Sequence, residues 1–139
     1  MQPRLVSSAG DIQTCYEVIS ELRPHLAADE FVKRVQQQMS TGYQLAILED
    51  GAQVVCAAGF RYGETLAWGK YLYVDDLVTL QAAQGRGFGR AMIEWLLAEA
   101  ARNDCDQFHL DSGVQRAPAH KFYFENGLSV SSFHFVKKL

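Results

Sequence analysis

The chain has 139 residues, of which 48% are hydrophobic and 21% are charged, and its formal net charge is −3. This length and balance predict one globular domain over residues 1–139 that buries its own core. The acidic balance argues against a nucleic-acid-binding surface, which needs a basic stripe. No apolar run reaches the roughly 18 residues of a membrane span. The N-terminus lacks an apolar signal core, so we expect a cytoplasmic protein.

The first third of the chain is predicted to form a short strand and two helices. Residues 4–7 favour the strand, and Asp11 is a candidate N-cap for a helix whose apolar positions repeat at helical spacing until Pro24. A second helix is predicted over residues 28–39. Neither helix carries a chemical motif.

The cysteines give no indication of a metal site. Cys15, Cys56 and Cys105 are scattered along the chain, and none lies in a CxxC pair. We therefore expect buried, reduced thiols and no bound metal.

A hairpin and a further strand follow. The dipeptide Asp50-Gly51 lies between apolar, partly β-branched runs at residues 43–49 and 53–60, a pattern typical of a β-hairpin. The next strand, residues 71–79, contains Asp75 and Asp76. Strict alternation places these aspartates on opposite faces, so at most one is expected to face a given cleft. Consecutive carboxylates pack poorly in a strand, which makes them candidate site residues.

A glycine-rich turn connects this strand to an amphipathic helix. Gly85, Gly87 and Gly89 alternate with other residues, and the helix is predicted to run to about residue 103. Its predicted apolar stripe consists of Met92, Ile93, Leu96, Leu97 and Ala100. Glycines allow the backbone to approach a ligand closely, and the helix N-terminus offers unpaired N–H groups and a positive dipole end. The turn is therefore predicted to bind phosphate.

The last part of the chain is predicted to contain a short strand, a helix and a closing strand. The strand covers residues 106–111, and the helix covers residues 117–126 with Pro118 in its first turn and Gly127 just beyond its end. Residues 128–136 alternate as a closing strand. The order of elements predicts a single α/β domain of mixed α+β character.

Two phosphate-binding motifs compete for the glycine turn. A Walker loop needs Lys-Ser/Thr where Arg90-Ala91 stand, so nucleotide hydrolysis is disfavoured. A dinucleotide fingerprint begins well with Gly85 and Gly87 but needs a third glycine at position 90. Asp111 follows at the distance of a ribose-binding carboxylate. Dinucleotide fingerprints usually follow the first strand of their fold, however, and here several predicted strands precede the turn, so a dinucleotide site is disfavoured.

A third pattern extends over the last half of the chain. The run Gln84-x-x-Gly87-x-Gly89 resembles the pyrophosphate loop [Arg/Gln]-x-x-Gly-x-[Gly/Ala] of the GCN5-related N-acetyltransferases (GNAT), and residues 119–128 resemble that family's AxxFYxxxGF segment. Arg116 and Leu128 stand where the family often has Asn and Phe. The C-terminal half is also similar to that of aminoalkylphosphonate N-acetyltransferases. The resemblance implies a single-domain GNAT-like fold, whose mixed, mostly antiparallel sheet has about six or seven strands flanked by about four helices.

The resemblance also implies roles for individual residues. Acetyl-CoA is the implied donor, and no metal is implied. The residues implied to bind the donor are Leu77, Val78 and Thr79 along the pantetheine, and Gln84, Gly85, Arg86, Gly87, Phe88, Gly89 and Arg90 around the pyrophosphate. Tyr123 matches the family tyrosine that protonates the leaving thiolate. Asp75, Asp76 and Asp111 are the strand carboxylates available as general base, and His109 and His120 are alternatives.

The leading functional hypothesis is therefore an acetyltransferase. It moves an acetyl group from acetyl-CoA to a primary amine of a small molecule or peptide, by direct transfer in a ternary complex. The alternative is a catalytically silent acyl-CoA-binding or sensor module. A homodimer is expected only because many members of the family dimerise.

Overall fold

The computed structural model describes residues 2–139. It divides into two compact units, one ending at His109 and one running from Leu110 to Leu139. In chain order the elements are β1 (Arg4–Val6), α1 (Ala9–Thr14), α2 (Tyr16–Leu22), α3 (Phe31–Met39), β2 (Gln44–Asp50), β3 (Gln53–Thr65), β4 (Gly69–Thr79), a 3₁₀ turn (Gln81–Ala83), α4 (Phe88–Arg102), β5 (Gln107–Leu110) and α5 (Ala117–Glu125). The first unit contains the elements from β1 to β5, except for Leu110, the last residue of β5. The second unit contains Leu110 and α5.

The strands form one sheet in the order β1-β2-β3-β4-β5. The first four strands are antiparallel neighbours, and the predicted hairpin at Asp50-Gly51 is confirmed as the β2–β3 connection. Helix α4 then leads to β5, where the Asp106 N–H donates to the Lys70 carbonyl at 2.7 Å. The mixed α/β class is confirmed, but the strand count expected from the family resemblance is wrong, since the described residues contain a sheet of 5 strands.

The predicted closing strand is one source of that difference. Residues 128–136 form no strand in the part of the chain that the structure describes. Their alternating apolar side chains Val130, Phe133, Phe135 and Val136 are exposed. Alternation indicates which side chains share a face, but a strand also requires a partner edge for its backbone N–H and C=O groups.

Strand β4 carries one residue more than its partner at Asp75. Gly59 of β3 pairs with Asp76, whereas Phe60 pairs with Val74, so Asp75 has no opposite residue. This is a β-bulge, in which two residues of one strand oppose one residue of the other and the alternation of faces is interrupted. The bulge explains why both aspartates reach the same side of the sheet, where they line one cavity. The prediction that at most one faces a given cleft is therefore wrong.

Helices α2 and α4 pack against strands β3 and β4. The apolar stripe of α4 is confirmed for Met92, Ile93, Leu96 and Ala100, which are buried, whereas Leu97 is 38% exposed. The first predicted helix is instead two short helices that meet at Cys15. Its N-cap is Ser8 and not Asp11, because the Ser8 hydroxyl accepts the Asp11 N–H at 3.1 Å.

The cysteines are free thiols, as predicted. Cys15 and Cys56 are fully buried, and burial raises the pKa of Cys15 to about 12 and that of Cys56 to about 11. Cys105 is only partly buried. Because the thiolate is the nucleophile, both core thiols are unreactive near neutral pH.

Glycine at position 59 is required by the side chain that crosses it. An added Cβ would overlap the hydroxyl and ring of Tyr43, whose hydroxyl donates to Asp76 Oδ2 at 2.9 Å. The missing side chain of Gly59 therefore lets Tyr43 lie against the sheet and reach the bulged part of β4.

Replacing Gly59 with alanine is expected to destabilise the fold by about 1–3 kcal/mol, the usual cost of forcing extra atoms into a packed site. Urea unfolding measures this cost. Gly10→Ala is the matched control, because Gly10 lies in α1 and a new Cβ there meets nothing within 4 Å. Alanine also favours a helix more than glycine does, so the control should be neutral or stabilising. Equal free energies of unfolding would contradict the contact between Gly59 and Tyr43.

Candidate active site

The glycine turn after β4 leaves a row of backbone N–H groups without partners. Gly85 has φ +80°, and Gly87, the N-cap of α4, has φ +87°, both in the left-handed region that favours glycine. The first N–H to bond back into the helix is that of Ala91, which donates to Gly87 at 3.0 Å. Across residues 2–139 the N–H groups of residues 85–90 find no acceptor. Unpaired N–H groups at the positive end of a helix dipole are suited to bind an anion.

The turn has space for a ligand beside it. A Cβ built on Gly85 or on Gly87 meets no heavy atom within 4 Å. Gln84, the first residue of the motif, donates its side-chain amide to the Thr79 carbonyl at 3.4 Å and so ties the turn to the end of β4. The Gln81 N–H donates to Glu21 Oε2 at 2.9 Å, which ties the 3₁₀ turn to α2.

The arginines of the turn already have acidic neighbours. Arg86 pairs with Asp50 of the β2–β3 hairpin at 2.8 Å, and its guanidinium carbon lies 4.9 Å from the centroid of the Phe88 ring. Arg90 pairs with Glu94 one turn along α4 at 2.9 Å. Both ion pairs are solvent-exposed and therefore weak, so either guanidinium can turn to a bound anion at small cost.

Residues 77–79 lie at the end of β4, just before the turn. On one edge they pair with residues 56–58 of β3. On the other edge β5 has 4 residues and is preceded by the bond from Asp106 to Lys70. At about 3.3 Å per residue, so short a strand cannot extend along β4 as far as residue 77. This edge of Leu77, Val78 and Thr79 is therefore not paired with β5.

A cavity of about 350 Å³ lies beside the same strand, between α2, α3, β2 and β4. Phe31 and Val35 of α3 form part of its apolar wall. Its polar wall includes Arg23, His25, Arg34, Tyr43, Asp75 and Asp76.

The two aspartates of β4 are held by separate arginines. Asp75 receives hydrogen bonds from Arg61 Nε at 3.0 and 3.1 Å and from Arg61 Nη2 at 2.7 Å. Asp76 receives Arg23 Nε at 2.9 Å and the Tyr43 hydroxyl at 2.9 Å. Arg23 also donates to the Asp75 carbonyl at 3.0 Å, so α2 is tied to the bulge itself. Asp76 is the more enclosed, with only 16% of its side chain exposed.

Tyr43 is the buried member of this network. It is 6% exposed, and burial raises its pKa well above the ordinary value, an effect to which the charge of Asp76 and the hydrogen bond to it add. The Arg61 guanidinium carbon lies 5.5 Å from the centroid of the Tyr43 ring. The hydroxyl therefore stays protonated and continues to donate to Asp76 at alkaline pH.

Sequence reasoning missed Arg23, Arg34 and Tyr43 as site residues. Arg23 and Asp76 are 53 positions apart, and Tyr43 and Asp76 are 33 positions apart. The two early helices carry no motif, and nothing local distinguishes these side chains from ordinary surface or core residues. The one available signal was the aspartate pair, which required partners that the sequence did not identify.

The second unit contains the other predicted catalytic residues. Tyr123 lies on α5, where burial raises the pKa of its hydroxyl although Arg116 opposes the shift. Asp111 lies 3.4 Å from His134 Nδ1. The nitrogen Nε2 of His120 lies 2.8 Å from the Gly113 carbonyl, which can only accept, so this nitrogen carries the proton. The nitrogen Nε2 of His120 is therefore not available to accept a proton as a general base.

The aromatic side chains around the start of β4 separate into two groups. Tyr73 lines the cavity. Trp68 stacks on His109 with ring centroids 3.5 Å apart, and Tyr71 meets Trp68 edge-on at 5.2 Å. The three rings pack against one another, and none of the three lines the cavity.

A sequence model of the acetyltransferase (GNAT) family matches residues 12–128. The chain belongs to the GNAT family of acetyltransferases. Within residues 2–139 of this GNAT protein, no group of three or more His, Cys, Asp or Glu side chains is arranged to hold a metal ion. Among residues 2–139 we find no helix with the length and apolar character of a membrane span.

Relatives support the same assignment. The chain is 27% identical over 124 residues to the uncharacterised N-acetyltransferase YhdJ of Bacillus subtilis, covering 88% of this chain and 87% of that protein. It is 30% identical over 66 residues to the aminoalkylphosphonate N-acetyltransferase of Salmonella typhimurium, covering 48% and 43% of the two chains. The fold is similar to that of the ribosomal-protein-alanine N-acetyltransferase of Brucella melitensis, with a TM-score of 0.85, 13% identity and 100% of both chains covered. The GNAT protein is therefore an acyltransferase.

The raised pKa of Tyr43 predicts a specific loss of stability at high pH. The unfolded chain releases the tyrosine proton near pH 10, whereas the folded protein keeps it. The contribution of Tyr43 is therefore complete below about pH 10 and decreases above it, by up to about 1.4 kcal/mol per pH unit. Tyr43→Phe should show a smaller decrease in unfolding free energy than wild type between about pH 9 and about pH 11.

Urea unfolding at the two pH values measures this difference. Tyr16→Phe is the matched control, because it loses a hydroxyl that donates to the Leu26 carbonyl at 2.8 Å but keeps Tyr43. The control should retain the wild-type decrease. A Tyr43→Phe variant with the same decrease as wild type would show that Tyr43 ionises equally in both states.

Proposed function

We propose that this GNAT protein transfers an acetyl group from acetyl-CoA directly to a primary amine within a ternary complex. The observation that carries the proposal is the row of unpartnered N–H groups at residues 85–90, in a turn with the GNAT pyrophosphate motif. Acetyl-CoA, when bound, supplies an acetyl group activated as a thioester. The protein's own part is to hold the donor, orient the amine and move two protons.

The donor site is proposed to extend from the turn along β4. The N–H groups of residues 85–90 suit a pyrophosphate, and the α4 dipole adds to this attraction. Gln84 supports the turn, and Arg86 and Arg90 are positioned to add charge-assisted hydrogen bonds. The edge of Leu77, Val78 and Thr79 that β5 does not cover suits an extended amide chain such as pantetheine.

Tyr123 is proposed as the general acid. The new bond joins the amine nitrogen to the acetyl carbon, and the bond from that carbon to sulfur breaks, which leaves a thiolate to be protonated. A tyrosine hydroxyl is protonated at neutral pH, as a general acid requires, and burial shifts the pKa of Tyr123 further in the same direction. No partner for the Tyr123 hydroxyl is present within its own unit, residues 110–139.

A carboxylate is proposed to take the proton that the amine loses. Asp75 and Asp76 line the cavity beside β4, directly before residues 77–79. Asp111 in the second unit is the remaining candidate. A paired carboxylate still has free lone pairs, so the arginine partners of Asp75 and Asp76 do not prevent proton transfer through water.

The proposal predicts that Tyr123→Phe loses turnover and keeps donor affinity. Loss of a general acid lowers kcat by about 100-fold or more, whereas a phenyl ring preserves the packing of α5. Thiol release from acetyl-CoA in the presence of a panel of amines measures kcat, and calorimetry measures CoA affinity. Tyr62→Phe is a matched control, because this partly buried tyrosine lies on β3 outside both motifs.

The remaining outcomes separate the competing functions. Wild-type protein that binds CoA but releases no thiol with any amine would indicate a silent acyl-CoA-binding module. Binding of NAD without binding of acetyl-CoA would favour the dinucleotide interpretation of the turn. Equal kcat for Tyr123→Phe and wild type would remove Tyr123 from the mechanism. The amine panel includes aminoalkylphosphonates, because one relative is named for that activity.

A further inference from the structure

The aspartates of the cavity are already neutralised. Asp75 binds Arg61 through both carboxylate oxygens, with its shortest contact at 2.7 Å. Asp76 binds Arg23 through one oxygen and the Tyr43 hydroxyl through the other, both at 2.9 Å. An ammonium group entering the cavity would therefore meet two carboxylates whose charge is largely compensated, and not a free acidic surface.

A third arginine leaves the cavity with positive charge in excess. Arg34 of α3 lines the cavity, and its guanidinium has no ion-pair or hydrogen-bond partner among residues 2–139. Arg23 and Arg34 line the cavity beside Asp75 and Asp76. Arg61 is not part of the lining but pairs with Asp75, so three guanidinium groups accompany two carboxylates, which is an excess of one positive charge. This local excess contrasts with the net charge of −3 on the whole chain.

His25 adds a second unpartnered polar group to the same wall. It lies in the connection between α2 and α3, lines the cavity, and makes no hydrogen bond or ion pair with the described residues. An imidazole offers an N–H donor in either tautomer. The part of the wall that is free to bind a ligand therefore presents N–H donors, while the acidic part is occupied.

We infer that this cavity binds the acceptor through an acidic group, so the substrate is a small amine that also carries a carboxylate, phosphonate or phosphate. Arg34 is the residue that binds this acidic group. The inference rests on the proposed acetyl transfer and specifies the class of acceptor for that reaction.

The geometry of β4 suits an acceptor of this kind. A cavity of about 350 Å³ is within the size of small-molecule sites. A guanidinium binds an oxyanion with two parallel hydrogen bonds, which fixes the orientation of the ligand. The wall residues Asp75 and Asp76 directly precede residues 77–79, along which we place the pantetheine of the donor. Asp76 and Val78 are about 7 Å apart along the strand, a distance that a short amino acid analogue can span.

The test compares acidic and neutral amines of similar length on Arg34 variants. The probes are 3-aminopropanoate, 2-aminoethylphosphonate and propylamine, and the readout is kcat/KM for each in the thiol-release assay. Wild type is expected to prefer both acidic amines. Arg34→Gln should lower the ratio of acidic to neutral kcat/KM by about tenfold to a hundredfold, mainly through KM, because it removes a charge-assisted hydrogen bond.

Two variants and a binding measurement control this test. Arg34→Lys keeps the charge but not the paired donors, so it should recover part of the preference. Lys33→Gln removes a neighbouring exposed charge of α3 that does not line the cavity, and it should keep the wild-type ratio. Calorimetry of 3-aminopropanoate and 2-aminoethylphosphonate binding to the CoA-loaded protein gives a readout that needs no turnover.

The outcomes distinguish this inference from the proposed function. If wild type acetylates propylamine as well as the acidic amines, or if Arg34→Gln leaves the ratio unchanged, the inference is overturned and acetyl transfer stands. If acidic amines bind in an Arg34-dependent way without turnover, the inference is supported and the proposed activity fails. A larger effect on 2-aminoethylphosphonate than on 3-aminopropanoate would support a phosphonate or phosphate as the acidic group, and the reverse would support a carboxylate.

Discussion

The extra residue in β4 at Asp75 determines how the rest of the site is arranged. Without the bulge, two consecutive aspartates would face opposite sides of the sheet. With it, both line one cavity and bind Arg23 and Arg61. Arg23 follows α2, so the same contact holds the early helices against the sheet. The strand then continues into residues 77–79 and the glycine turn, which makes β4 the element shared by the proposed donor and acceptor sites.

The groups that face the two proposed ligands have the same electrostatic character. Backbone N–H groups and a helix dipole face the proposed pyrophosphate. At the cavity, the aspartates are compensated and Arg34 remains without a partner. Both proposed ligand sites therefore present groups suited to anions, in a chain whose net charge is −3. Local arrangement, and not overall charge, decides what each site attracts.

Much of the fold followed from local pattern. The Asp50-Gly51 hairpin and the α4 stripe follow from short-range rules, and the structure agrees with the hairpin and with four of the five stripe positions. The closing strand and the face of Asp75 were wrong for a common reason. A strand forms only where a neighbouring strand offers a free edge, and a bulge is defined by the register between two strands. Both therefore depend on a partner elsewhere in the chain.

The same distinction between local and distant partners separates the parts of the site that the sequence predicted from those that it did not. The proposed donor turn is contiguous, so its motif could be recognised in residues 84–90, and the second motif in residues 119–128 then favoured the GNAT family over the two other phosphate-binding motifs. The cavity is assembled from side chains that lie far apart in the sequence, and Arg34 and Tyr43 have no local signature. Only the unusual pair Asp75-Asp76 indicated that something in the fold must compensate adjacent carboxylates.

Calorimetric titration of CoA into wild type, Gly87→Ala and Gly42→Ala tests the central claim, that the turn holds the pyrophosphate of the donor. Both glycines have positive φ and open space around a new Cβ, but Gly42 lies in the connection between α3 and β2. A Cβ at position 87 strains the backbone and projects from the N-cap of α4 into the proposed ligand space. We expect CoA affinity to fall by about tenfold or more in Gly87→Ala and to remain at the wild-type level in Gly42→Ala. Wild-type affinity in Gly87→Ala, or no CoA binding by wild type, would contradict the account.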